Sequence, residues 1–200
     1  MTINPPFDVA ALGELAAQVP ADERPSIVAD RRWLYAYGTD DGGPDGDGGK
    51  WLLYAPRDRI DGVWAAVRLL TQQGLLGPAA KVSTAYGRPD ADDHVICAYV
   101  ADWHDTATVR RVLANLREAG IGREWLNFKR DADTIAGFYK ANGDHNVATF
   151  TAPPDEERIY TKRLGATTWL DGANDAEVVA AIEAGDDLTD EPTAGTRCGT

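Results

Sequence analysis

An α+β fold, with a curved, mainly antiparallel sheet and helices packed on one face, is what this sequence predicts. Three observations carry the prediction: short runs with β-type alternation, two amphipathic stretches of helical period between them, and short connections throughout. Strand, helix, strand, strand, helix, strand in that order fits helices on one side of an antiparallel sheet better than the strict βαβα alternation of a parallel one. The 200 residues suffice to bury a core without staples, and 44% hydrophobic content with six tryptophans fits a folded chain.

Taken in order, Phe7 to Val19 reads as a helix, with Asp8 at its N-terminus and Pro20 as its stop. Arg32-Trp33-Leu34-Tyr35-Ala36-Tyr37 alternates in the β manner. Residues 38–49 are rich in glycine and aspartate and read as a flexible loop, after which Lys50 to Ala55 forms a strand expected to pair with 33–37 across it. Asp45-Gly46-Asp47-Gly48 resembles a piece of a calcium loop, but Pro56 stands where the twelfth-position carboxylate belongs, so no metal is assigned. Asp58 to Gly74 is an amphipathic helix with Ile60, Val63, Trp64, Val67 and Leu70 on its apolar stripe. Ala80–Tyr86 and His94–Ala101 are strands, the second the most apolar and expected to be central.

Asp105 or Thr106 caps a helix through Ala119, with Val109, Val112, Leu113 and Leu116 inward and Gly120 as its end. Glu124 to Lys129 is a further strand, Thr134–Tyr139 and Val147–Thr151 are read as short ones, and a last helix runs from Asn174 to Ala184. The expected organisation is an N-terminal helical extension (1–29), one α+β domain (30–165), a C-terminal helical segment (166–184) and a disordered acidic tail (185–200).

The net charge of −12 is concentrated at the ends: −6 over residues 1–48, +1 over 49–163 and −7 over 164–200. An acidic whole disfavours binding to duplex nucleic acid, which relies on excess Lys and Arg. No apolar run approaches the ~20 residues needed to span a bilayer, and the first residues lack a signal-peptide pattern. Cys97 in an apolar strand and Cys198 in a polar tail fit a reduced, cytoplasmic protein, with no disulfide framework and no metal-ligand spacing.

The chemistry-bearing feature is a set of three lysines on strands: Lys50 in Gly49-Lys50-Trp51, Lys81 in Ala80-Lys81-Val82-Ser83-Thr84, and Lys129 in Asn127-Phe128-Lys129-Arg130. A strand lysine ordinarily snorkels to solvent. Three on one face would suit a phosphate, with Arg130 beside Lys129 but facing the opposite way in an extended chain. Along the strand from His94, Val95, Cys97 and Tyr99 share one face, and His94, Ile96 and Ala98 share the other. Tyr99 therefore ranks above His94 as a site residue, and Lys81 above both. His94, after Asp92-Asp93, is otherwise expected as a salt-linked surface histidine, and His104 and His145 as chemically idle loop residues. Trp51 and Trp103 are candidate stacking surfaces for a nucleobase, as is Trp169, against the ordinary alternative of core packing.

The blocks Gly49-Lys50-Trp51, Ala80-Lys81-Val82-Ser83-Thr84, His94-Val95-Ile96-Cys97-Ala98-Tyr99 and Lys129-Arg130-Asp131-Ala132-Asp133-Thr134-Ile135-Ala136-Gly137-Phe138-Tyr139 resemble, in order and spacing over residues 49–140, the family of basophilic-leukaemia-expressed proteins, also labelled phosphothreonine lyase domain proteins. The resemblance implies a fold similar to that of the cap-binding translation initiation factor. Its lyase label implies a reaction like that of the bacterial effector lyases, in which a lysine removes the Cα proton, a histidine is general acid and basic residues hold the phosphate. Lys81 matches the base-bearing block, and Lys50 the residue that begins the effectors' Lys-Phe-His strand. Leu52 stands where their histidine would be, which leaves Tyr99 or His94 to supply a proton.

Three functions follow as expectations. One is a lyase-like enzyme, needing no metal or cofactor, acting on a phosphorylated peptide or small phosphorylated ligand with Lys81, Tyr99 and His94 as its catalytic groups and Lys50, Lys129 and Arg130 on the phosphate. Another is a non-catalytic module binding a nucleotide or phospholigand through Lys and Trp. The third is an acidic protein-interaction scaffold. No membrane partner is expected, and the sequence does not fix the oligomeric state.

Overall fold

The structure, a computed structural model, describes residues 6–39, 47–88, 90–138 and 147–187. In chain order the elements are α1 (Val9–Gln18), β1 (Trp33–Tyr37), β2 (Gly49–Pro56), α2 (Ile60–Gln72), β3 (Ala79–Ser83), β4 (Asp93–Val100), α3 (Thr106–Glu118), β5 (Leu126–Arg130), α4 (Asp131–Ile135), β6 (Phe150–Ala152), β7 (Ile159–Thr161), β8 (Thr168–Leu170) and α5 (Asp175–Asp187). The eight strands form one curved, open antiparallel sheet in the order β1-β3-β4-β2-β5-β6-β7-β8.

Register explains why one face of the sheet is core. Ala36, Ala80, Ala98, Trp51, Phe128 and Phe150 lie directly opposite one another from strand to strand. All six are buried, five of them completely and Ala36 to within 3%. Helices α2 and α3 cover this face with the apolar stripes the sequence marks out: Ile60, Val63, Trp64, Val67 and Leu70 from α2, and Val109, Val112, Leu113 and Leu116 from α3, all buried. Trp51 Nε1 donates to the Val109 carbonyl at 3.0 Å, so its one polar atom is satisfied inside the core.

The ends are tied to the same core. Asp8 caps α1 by accepting from the Ala11 amide at 2.8 Å, and the Phe7 amide donates to the Ala119 carbonyl at 2.8 Å. Leu12 packs in the common cluster, and α1 lies so close to α2 that a Cβ on Gly62 would sit 2.3 Å from the Leu12 carbonyl oxygen. At the other end Asp175 accepts from the Arg110 guanidinium, the Thr106 hydroxyl at 2.7 Å and the Gly172 amide at 2.8 Å, pinning α5 to α3. The Arg110 hydrogen bond is the largest cause that holds the Asp175 carboxyl down at about 2, below its ordinary 3.8. Among the described residues no helix is long and apolar enough to cross a membrane.

Several sequence expectations need correction. β2 does not pair with β1: it lies between β4 and β5, while β1 pairs only with β3 and forms an edge. Thr134 to Phe138 is not a strand, because 131–135 forms α4 and its end is turned by Gly137 at φ 80°. Tyr139 lies outside the described residues, as do Asp45, Gly46, His145 and Cys198. Two strands, β7 and β8, were not anticipated, and β8 falls within the segment read as helical. Helix α5 continues to Asp187, beyond the expected start of the tail at 185.

Two stability outcomes follow. Gly77→Ala places a Cβ 1.8 Å from the Tyr99 carbonyl oxygen, whereas Gly13→Ala on α1 meets nothing within 4 Å. Urea unfolding is expected to show a loss of about 1–3 kcal/mol or more for the first and a gain of about 0.5–1 kcal/mol for the second. Because the Asp175 pKa is depressed on folding, its contribution is present above pH ~4 and lost as pH falls toward ~2. Asp175→Asn should therefore lower stability by about 2 kcal/mol at neutral pH and flatten the acid limb of the profile between those values.

Candidate functional site

The alternation that buries Trp51, Ala80, Ala98 and Phe128 sends their neighbours to the opposite face, away from α2 and α3. Lys50, Leu52 and Tyr54 of β2, Lys81 of β3, Val95, Cys97 and Tyr99 of β4, and Asn127 and Lys129 of β5 all stand there by register. One row reads Tyr99, Lys50, Lys129 across three strands; its neighbour reads Tyr35, Lys81, Cys97, Leu52, Asn127. Lys50, Leu52, Tyr54, Lys81, Val95, Cys97, Asn127 and Lys129, together with Trp33, Thr134, Val147 and Ala148, line a cavity of about 440 Å³. Tyr99 is not one of its walls and adjoins it through the ring beside Lys81 and Lys50. Lys50, Lys81 and Lys129 all reach it.

The three lysines differ in what already holds them. Lys50 and Lys129 are directly opposite each other, a like-charge pairing that is unfavourable on a sheet face unless compensated. Compensation comes from α4 and the turn that follows it. Lys50 Nζ pairs with the Asp131 carboxylate and donates to Thr134 Oγ1 at 2.9 Å, while Lys129 Nζ donates to the Phe138 carbonyl. Lys50 and Lys129 are each only 5% exposed. Lys81 has neither a carboxylate nor a hydrogen-bond acceptor among the described residues. Its ammonium lies 4.5 Å from the Trp33 ring centroid and 5.4 Å from that of Tyr99, and Lys50 approaches the same Tyr99 ring at 5.6 Å. A cation over two aromatic faces is held in place while its remaining donors stay available.

The other polar groups of the cavity are donors rather than bases. Burial pushes the Cys97 thiol up to about 11 and raises the Tyr99 phenol further, so both stay protonated at neutral pH. Asn127 accepts from Thr151 Oγ1 at 3.0 Å, which leaves its amide nitrogen without a partner among the described residues. No group of three or more His, Cys, Asp and Glu among the described residues could hold a metal ion.

Several candidates fall elsewhere. His94 is not a surface histidine: it is 2% exposed, lies on the helix-side parity of β4, and its Nδ1 is 2.8 Å from the Ser83 carbonyl. It does not reach the cavity. Arg130, on the opposite parity to Lys129, is buried against Asp133 with Nη2 at 2.6 Å from Oδ1, and its guanidinium carbon is 5.1 Å from the Trp103 ring. Trp51, completely buried, and Trp103, 4% exposed, are core residues and present no stacking surface. His104 bridges Asp102 and Glu183, at 2.6 and 2.7 Å, away from the cavity. Trp33, Asn127, Asp131 and Thr134 were not singled out for the site. The alternation of β1 places Trp33 opposite the buried Leu34 and Ala36, a signal present in the sequence. Asp131 and Thr134 needed α4, which the sequence reading replaced by a strand.

Comparison with known proteins gives three findings. Residues 47–134 match the family described as basophilic leukemia-expressed protein Bles03. No curated protein matches the chain. Among solved structures, eIF4E of a schistosome, crystallised with m7GpppA and 4E-BP, is similar at TM-score 0.50 and 12% identity, over 72% of this chain and 81% of that one. Ascaris suum eIF4E-3, in complex with the m7G cap, is similar at TM-score 0.41 and 15% identity, over 62% and 75% of the two chains. The segment that supplies β2 to α4, and with them all three cavity lysines, is thus similar to the Bles03 family, on a fold like that of eIF4E.

Proposed function

We propose that the cavity is a non-catalytic binding site for a nucleotide or a similarly small phosphorylated ligand. The observation that carries this reading is Lys81: an ammonium without an acidic partner, steadied between Trp33 and Tyr99, at a cavity whose other free groups are hydrogen-bond donors. An anion is the ligand such a set of donors complements. The likeness to the schistosome eIF4E structure, crystallised with m7GpppA, supports the fold on which a nucleotide site of this kind can be built.

Elimination of phosphate has less support. It needs a base and an acid able to exchange protons near neutral pH. Leu52 occupies the position of the effectors' histidine and lines the cavity, His94 lies on the other face, and Tyr99 and Cys97 hold their protons. Conversion of a phosphothreonine peptide to the dehydrobutyrine peptide by the unaltered protein would overturn the non-catalytic reading.

Titration of tryptophan fluorescence with a nucleoside triphosphate, a phosphothreonine peptide and inorganic phosphate tests the binding itself, because Trp33 lies directly against Lys81. A saturable change for the nucleotide is expected, weakened roughly tenfold to a hundredfold by Lys81→Ala, as for a lost hydrogen bond between charged groups. Flat titrations for all three ligands would refute the proposal. Lys50 should behave differently from Lys81. Lys50→Ala leaves the largely enclosed Asp131 carboxylate unpaired, so unfolding experiments should show a loss of about 2–4 kcal/mol, against less than about 1 kcal/mol for Lys81→Ala.

A further inference from the structure

The row that contains Lys81 does not stop at the cavity. By direct pairing it continues Lys81, Cys97, Leu52, Asn127, Thr151, Tyr160, Trp169, and so reaches the far edge of the sheet on one face. At that edge stands a second constellation. Tyr160 meets Trp169 edge to face at 5.0 Å and Trp125 at 6.5 Å between ring centroids. Trp125 is 58% exposed and Trp169 39%. Arg158 lies 4.6 Å from the Trp169 ring and Lys162 5.8 Å from that of Tyr160. Residues 158, 160 and 162 share one side by alternation, as do 125, 127 and 129.

The charge of this face runs against that of the chain. Its strand positions carry Lys50, Lys81 and Lys129 against one acidic residue, Asp93 at the very start of β4, with Asp131 of α4 paired to Lys50, in a protein of net charge −12. Arg158 is paired with Glu156 at 2.6 Å, while Lys162 has no carboxylate partner among the described residues. Aromatic side chains are interleaved with these cations: Trp33, Tyr35 and Tyr37 on β1, Tyr99 on β4, then Trp125, Tyr160 and Trp169. Tyr35 and Tyr37 are 53% and 69% exposed and stack on each other at 6.3 Å with an 8° interplanar angle. Aromatic faces for bases and ammonium groups for the backbone, on an open sheet, are the chemistry that holds a single nucleic-acid strand.

We propose that this face binds a single-stranded oligonucleotide, running from Lys81 across the sheet to the Trp125–Tyr160–Trp169 platform. The inference rests on the nucleotide reading of the cavity and extends it: one phosphate occupies the lysine site, and bases farther along the strand stack at the β5–β8 edge. Five strand spacings separate Lys81 from Tyr160, roughly 24 Å. That is the length of about seven nucleotides at the stacked spacing of 3.4 Å.

Fluorescence anisotropy with a labelled oligouridylate of about eight nucleotides and a labelled uridine triphosphate tests it on the full chain. The oligonucleotide is expected to bind at least about tenfold tighter and with a steeper fall on adding salt. Trp169→Ala should lower oligonucleotide affinity about fivefold to a hundredfold, the range for one base–aromatic stack, and leave triphosphate affinity unchanged. Lys162→Glu, an exposed change that does not endanger folding, should reduce the salt dependence of oligonucleotide binding alone. If the triphosphate binds and the oligonucleotide gains nothing, or if both variants leave its affinity intact, the extended site is wrong and the cavity reading stands. If neither probe binds, the extended site falls, and the nucleotide reading of the cavity with it. Flat oligonucleotide titrations beside capture of a phosphorylated peptide would give the face to a protein partner and likewise overturn the proposal.

Discussion

The row Ala36–Ala80–Ala98–Trp51–Phe128–Phe150 is the constraint on which the site depends. These six positions are buried because α2 and α3 close over them, and strand geometry then leaves no choice for their neighbours. A slip of one residue in β2 would send Trp51 to the open face and Lys50 into the core. The hydrophobic energy of one face therefore fixes the position of the charges on the other. Trp51 is the strongest part of this lock: completely buried, edge to face with Phe128 at 5.4 Å, and hydrogen-bonded to α3.

The lysines are an example of one residue type serving two purposes. Lys50 and Lys129 are adjacent cations, answered by a carboxylate of α4 and a carbonyl of the turn after it. Their ammonium groups shape and polarise the cavity while also fastening a five-residue helix that would have little stability by itself. Lys81 fastens nothing. Its contacts are two aromatic rings, which accept a cation without neutralising it. The difference follows from location: Lys81 is on β3, three strands from the β5–α4 corner where the acceptors are.

Much of the fold was legible in the sequence, because the long amphipathic stretches of α2 and α3 and the apolar run of β4 have unmistakable periods. The convergence of the lysines was also legible, as a matter of parity. The pairing of β2 was not. A glycine-rich loop between two strands suggests a hairpin, yet β3 and β4 fit between β1 and β2, and only tertiary packing decides that. Strands β7 and β8 have three residues each, too few for alternation to register. The β-branched and aromatic residues of 134–139 favoured a strand, but ion pairing of Asp131 with Lys50 and of Asp133 with Arg130 and Arg163 holds the chain in a helical turn. His94 misled through its acidic neighbours, since Asp93 is exposed and His94 buried on adjacent, opposite-facing positions.

The placement of β2 also has a kinetic side. Its two neighbours in the sheet begin at Asp93 and Leu126, so the strand at the middle of the fold cannot be paired on both edges until some seventy further residues have followed it. Lys50 meets Asp131 across 81 positions of sequence. Contacts of such separation must close long loops before they stabilise anything, which slows folding. During synthesis, which proceeds from the N-terminus, α2 and β3 emerge while β2 still presents bare edges, and the chain must keep Trp51 and Leu53 from engaging the wrong strand in that interval. The glycines and aspartates that precede β2, poor β-formers all, keep the strand from being extended in that direction while it waits.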